Sequence, residues 1–182
     1  MARSALVVID MINEYDHADA EPLVRSVEAA LPQMVRMVER AADDGVLTIY
    51  VNDNFGAWNS NREDLVERAL RGPHRALVEP IRPARDTAFV VKARHSIFYE
   101  TPLEYLLRQE EIDRIVLIGQ VTEQCILYSA LDGYIRQFAV AVPADATAHI
   151  HPDLAQAALK MMELNMRADI GTAEDCALTD AG

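Results

Sequence analysis

The sequence predicts a three-layer α/β/α domain built on a parallel sheet of six strands, and three observations carry that prediction. Short apolar runs alternate along the chain with longer stretches whose apolar residues recur at helical spacing. The short runs are continuous rather than alternating, the pattern of strands covered by helices on both faces. Nothing across residues 1–182 reads as a linker, a repeat or a low-complexity segment, so the whole length is assigned to one domain.

Ser4 to Ile9 is the first strand, rich in β-branched residues. From Pro22 to Ala42, the residues Leu23, Val27, Leu31, Met34, Val38 and Ala41 recur three and four apart, one face of an amphipathic helix that Asp43-Asp44-Gly45 ends. Val46 to Val51 is the second strand. Asn52 to Asn61 is dense in turn-formers and reads as a loop, with a short helix over Arg62 to Leu70. Thr87 to Val91 is the third strand, Pro102 to Leu107 a short helix, and Arg114 to Ile118 the fourth strand, closed by Gly119. Thr122 to Gln137 reads as a helix presenting Ile126, Leu127, Ala130, Leu131 and Tyr134 to the core. A fifth strand at Phe138 to Val142, a helix at Asp153 to Met166 and a short sixth strand at Ala168 to Gly171 complete the alternation.

Composition narrows the function classes. The formal charge of −12 would repel a polyanion, which argues against nucleic acid and anionic membrane surfaces as partners. No apolar stretch approaches the ~20 residues of a membrane helix. The run Ala5 to Ile9 is too short for a signal-peptide core and Asp10 cuts it off, so the chain is expected in the cytoplasm. The two cysteines, Cys125 and Cys176, have no CxxC and no paired Cys/His spacing, and are expected as free thiols. His95, His149 and His151 are not spaced as a metal set, and the last two are placed on an exposed turn before Pro152. Cys176, past the last strand with no motif around it, reads as structural. No cofactor and no metal are expected.

In open parallel sheets, ligands bind beyond the carboxyl ends of the strands. Strand one ends on Asp10, strand three on Lys92, and a tight turn after strand four leads to Cys125. Each residue alone has a structural reading: a helix-capping carboxylate, a solvated ammonium, a small buried thiol. Together they do something none does alone. Lys92 and a helix N-terminus both favour a thiolate, lowering the Cys125 pKa towards neutrality. Asp10 can accept the thiol proton and later activate water.

Three strings make the pattern specific. Val8-Ile9-Asp10-Met11-Ile12-Asn13-Glu14-Tyr15 resembles the first-strand motif of isochorismatase-like cysteine hydrolases, and Lys92-Ala93-Arg94-His95-Ser96-Ile97-Phe98 resembles their Lys-x-x-x-Ser-x-Phe segment. Gly119-Gln120-Val121-Thr122-Glu123-Gln124-Cys125 resembles their nucleophile turn, and motif order and intervals agree over almost the whole chain. The resemblance implies the isochorismatase-like, Rossmann-like fold, with Asp10 as general base, Lys92 as its electrostatic partner and Cys125 as nucleophile. It also implies a non-proline cis peptide between Gln120 and Val121, aiming the N–H groups of Val121 and Cys125 into one oxyanion hole.

Two departures bear on the substrate. Nicotinamidases of this family place an Asp and several His residues after the second strand and bind a metal there. Asp53 is present, but Phe55 stands where the first His would be, and residues 52–61 contain no His. True isochorismatases, which act on a vinyl ether, typically lack the nucleophilic Cys. Cysteine suits acyl transfer, so amides, ureas and carbamoyl compounds are the expected substrates. An isochorismatase-type vinyl ether or ester hydrolase and a non-catalytic interaction subunit are the alternatives. A dinucleotide-binding module is disfavoured, because Asp10 to Glu14 lacks the glycines that would cradle a pyrophosphate. Asn54, Phe55, Tyr15 and Thr122 are placed in the substrate pocket. Trp58 reads equally as a pocket wall or a subunit contact, and a homo-oligomer is expected.

Overall fold

The β-branched runs pair as a parallel sheet in the computed structural model, which describes residues 3–179. The strands are β1 (Arg3–Ile9), β2 (Leu47–Asp53), β3 (Ala88–Lys92), β4 (Ile112–Gln120), β5 (Ala139–Pro143), β6 (Thr147–Ala148) and β7 (Asp169–Gly171). Their order is β3-β2-β1-β4-β5-β7. The sheet therefore has the six expected strands and one more. β5 pairs with β4 at Arg114 to Val116, and β6 takes its place further along, against Gly119 and Gln120. Two residues are too few to show a period, which is why the sequence does not betray β6.

Side chains leave the two faces alternately, so each central strand feeds two cores. Leu6, Val8, Val116 and Ile118 pack with Leu23, Val27 and Met34 of α1 (Ala20–Asp43), beside α2 (Arg62–Arg71) and the single turn α3 (Arg75–Val78). Ala5, Val7, Ile9, Ile115 and Leu117 pack on the other face against α4 (Leu103–Gln109), α5 (Leu127–Ile135) and α6 (Pro152–Met166). Among the described residues no helix is long and apolar enough to cross a membrane.

The helix expected over Thr122 to Gln137 is two pieces. Thr122–Ile126 forms a π turn, with the Val121 carbonyl accepting from both Gln124 and Ile126 N–H, and α5 follows. A π turn holds more residues than an α turn, so it rotates everything after it about the helix axis. The buried stripe is accordingly Ile126, Ser129, Ala130 and Gly133, while Leu131 and Tyr134, expected in the core, are exposed. Gly133 lets α5 settle onto β4, since a Cβ there would lie 2.8 Å from the Ile115 side chain.

Candidate active site

Strand register brings the three strand-end residues together. Ile9 lies opposite Gly119 in the β1–β4 pair, and Asp53 opposite Lys92 in the β2–β3 pair. Gly119 is required here: its φ is +113°, and a Cβ would fall 2.2 Å from the Ile9 carbonyl oxygen. By strand alternation Asp10 would follow Val8 towards α1, whereas Lys92 follows Val90 into the opposite core. The left-handed backbone at Asp10, φ 56°, breaks that alternation, and the two side chains meet.

Lys92 Nζ lies 2.9 Å from Asp10 Oδ2, 3.5 Å from Asp53 Oδ2 and 3.7 Å from Cys125 Sγ. The lysine is 2% exposed, an unusual place for an ammonium without partners of opposite charge. Asp10 Oδ1 accepts the Asp53 N–H at 2.7 Å. The chain after Asp10 is pinned from beneath. Asn52 receives the Ile12 N–H and donates to the Ile12 carbonyl, and the Gln120 carboxamide donates to the Asp10 carbonyl at 2.6 Å. The Gln120–Val121 peptide is cis. Glu123, in the same turn, accepts the N–H groups of Ile150 and His151 and so ties the turn to the start of α6.

The electrostatics correct the expectation of a resting thiolate. Burial pushes the Cys125 thiol well up, and the neighbouring Asp10 carboxylate pushes the same way, outweighing the Lys92 ammonium and the Val121 N–H. Burial also raises the Asp10 carboxyl, opposed by Lys92, the Cys125 thiol and the Asp53 N–H. Burial works to lower Lys92, but the acidic groups around it, Asp10 foremost, hold it above its ordinary value. The helix N-terminus gives little help, because Cys125 sits on the fourth residue of a π turn rather than at an α-helical end. The site thus sets a close Asp10–Lys92 contact beside a thiol whose surroundings favour its neutral form.

A cavity of about 960 Å³ opens beside this cluster. Asn54, Phe55 and Trp58 line it, and Trp58 is 85% exposed. Tyr15 and Thr122 do not. Tyr15 is 3% exposed, its hydroxyl directed at Gln120 Oε1 and its ring edge-on to His74. The Thr122 hydroxyl donates to the Ala148 carbonyl at 2.9 Å. Both residues brace the turn that carries Cys125 from inside the protein. His149 is half-buried with Nδ1 3.1 Å from Ser26 Oγ, not on an exposed turn, whereas His151 is exposed as the N-cap of α6. Cys176 is buried, with its carbonyl held by Arg40.

His95, whose spacing in the sequence argues only against a metal set, lines the cavity with Nδ1 3.7 Å from Cys125 Sγ. Its signal was its place inside the Lys-x-x-x-Ser segment, three residues after Lys92.

The residues around Asp53 do not fit a metal. Asp53 Oδ1 accepts the Phe55 N–H at 2.7 Å, and Oδ2 faces the Lys92 ammonium. Phe55 offers no donor atom. Among the described residues no three His, Cys, Asp or Glu side chains are grouped to hold an ion.

Comparison with known proteins agrees with this architecture. The isochorismatase domain matches residues 4–175. The isochorismatase family protein YaaI of Bacillus subtilis is 30% identical over 173 residues, covering 95% of this chain and 96% of that protein. Maleamate amidohydrolase of Pseudomonas putida is 26% identical over 159 residues, covering 83% and 75%. The crystal structure of N-carbamoylsarcosine amidase from Thermoplasma acidophilum superposes with a TM-score of 0.74 at 25% identity, covering 96% of this chain and 98% of that one. With the family's domain spanning nearly its full length, the chain belongs to the isochorismatase family.

Proposed function

We propose that this protein is a cysteine amidohydrolase, cleaving the C–N bond of a small amide, urea or carbamoyl compound through a thioester on Cys125. The observation that carries this reading is the meeting of Cys125 Sγ, Lys92 Nζ and the Asp10 carboxylate beside the cavity. The relatives named for amide and carbamoyl substrates, maleamate amidohydrolase and N-carbamoylsarcosine amidase, support it.

Asp10 takes the Sγ proton as the sulfur attacks the acyl carbon, and the carbonyl electron pair moves onto oxygen. The Val121 and Cys125 N–H groups hold that oxyanion, a role the likeness of the Gly119–Cys125 turn to the family's nucleophile turn implies. The C–N bond then breaks, and the nitrogen leaves with the proton from Asp10. A water molecule gives a proton to Asp10 and attacks the thioester, the C–S bond breaks, and the sulfur recovers the proton. Lys92 stabilises the carboxylate form of Asp10 between transfers.

The same reading has the chain act as a homo-oligomer, supported by exposed apolar side chains on adjacent helices. These are Tyr128, Leu131 and Ile135 of α5 with Leu154, Met161 and Leu164 of α6.

The test is an ammonia-release screen over small amides, ureas and carbamoyl compounds with Cys125→Ala as control. Release that needs the thiol supports the proposal. Release that persists in the variant, or cleavage restricted to a vinyl ether or ester, would overturn it.

A further inference from the structure

The geometry points to His95 as a catalytic residue of this site: its Nδ1–H stabilises the Cys125 sulfur as the thiol proton leaves. The inference rests on the reading of Cys125 as the nucleophile and adds a third group to those that act on it.

Two observations carry it. The first is that the sulfur has too little positive charge on its buried side. Lys92 is shared among Asp10 at 2.9 Å, Asp53 at 3.5 Å and Cys125 at 3.7 Å, and the nearest carboxylate opposes thiolate formation. The second is that His95, an exposed residue, places Nδ1 3.7 Å from Sγ. A histidine buried in a core would be explained by packing alone, but this one is exposed and borders the cavity.

The ring is also held. It tilts against Tyr128 of α5 with centroids 5.5 Å apart. The residues that follow are fastened to the same helix, Ser96 Oγ by Asp132 and the Ile97 N–H by Ser129 Oγ. The charged and titratable groups around the sulfur are Asp10 from the end of β1, Lys92 from β3 and His95 itself. Those around His95 are Cys125, Tyr128, and Arg94 and Glu100 of the cavity wall.

When the Sγ proton passes to Asp10, the sulfur carries a full negative charge and the His95 hydrogen bond becomes charge-assisted. As the C–S bond forms, that charge moves to the oxyanion and the bond weakens again. His95 neither gains nor loses a proton, so the proton count of the cycle is unchanged.

The test is the pH dependence of Cys125 alkylation by iodoacetamide, followed by peptide-resolved mass spectrometry to separate it from Cys176. His95→Phe keeps a ring against Tyr128 and removes the donor. His95→Asn puts an amide N–H near the position of Nδ1. In His95→Phe the profile should move to higher pH and the rate at neutral pH fall roughly tenfold, the loss of one hydrogen bond to a charged group at a partly exposed site. His95→Asn should recover most of the shift. The midpoint of the profile is the deciding quantity, because a steric block would lower the rate at every pH without moving it. A His95→Phe midpoint equal to that of the wild type, or an Asn variant shifted as far as the Phe variant, overturns the inference. Alkylation needs no substrate, so a failure of amide cleavage would show itself separately in the ammonia screen.

Discussion

Lys92→Met removes the buried charge and keeps nearly all of the apolar stem. In the wild type the ammonium is 2% exposed and lies 2.9 Å from an Asp10 that is itself 6% exposed. Deleting one partner of such a pair costs ~3–5 kcal/mol when the other is left charged. Asp10 can escape part of that cost by taking up a proton. Burial already raises its carboxyl, and Lys92 is the strongest of the contacts that lower it. A group whose folded pKa is raised contributes stability below its unfolded value, about 3.9 for an aspartate, and loses it as pH rises through the folded value. The variant's deficit should therefore be small in acid and grow towards neutral pH, as Asp10 is forced to ionise without its counter-charge. Lys92, also raised in the wild type, loses its own contribution only at alkaline pH and leaves that window clear. Urea unfolding of both proteins at several pH values measures the difference. Turnover should fall by roughly 10²–10⁴ at neutral pH, the range for loss of a general base, and the pH–rate profile should move upward. A deficit that does not change with pH refutes the buried-charge argument. Unchanged kcat with a raised KM would make Lys92 a substrate anchor instead.

Three further outcomes follow from the same geometry. Because burial and Asp10 hold the Cys125 thiol up, iodoacetamide should label it at pH 7 more slowly than a free cysteine and speed up as pH rises; fast neutral labelling would restore the resting thiolate. Turnover should survive EDTA, since both Asp53 oxygens are engaged and Phe55 offers no ligand; loss of activity that zinc or iron reverses would show otherwise. Gly119→Ala should cost about 3 kcal/mol or more, from a Cβ 2.2 Å from the Ile9 oxygen and an unfavourable φ; an unchanged denaturation midpoint would contradict the close β1–β4 approach.

What the sequence made legible divides along a physical line. The six main strands and the long helices can be read because burial on two faces writes continuous runs, and burial of one stripe writes a helical period. The first helix, expected over Pro22 to Ala42, spans Ala20–Asp43. Asp10, Lys92 and Cys125 are legible for the same reason: topology alone carries them to one edge of the sheet. Features set by a single turn are not. The π turn at Thr122–Ile126 rotates α5 and exposes Leu131 and Tyr134, although the sequence there is an unbroken helical pattern. Tyr15 adopts φ 56° and turns inward to Gln120, which nothing in its position five residues after Asp10 announces. The glycine-free turn Arg75–Val78 is too short to show a period.

The protonation of Cys125 belongs to that second group, and it changes how the residues share the chemistry. A strand-end Lys near a Cys reads from sequence as an activator of a standing thiolate. In space one ammonium faces two carboxylates and a thiol, and the carboxylate at 2.9 Å has the first claim on it. The sulfur at 3.7 Å receives what remains, which burial outweighs. On the proposed mechanism the thiolate then forms only during attack, as its proton moves onto Asp10. On that mechanism Asp10 creates the nucleophile, and Lys92 and the proposed His95 contact face the charge that the sulfur develops. A thiol whose surroundings favour its protonated form is also a poor target for oxidants, whose reaction depends on thiolate character and exposure. The same burial that slows the resting sulfur removes water from around it, so each donor aimed at the reacting atoms acts with more force than it would in solution.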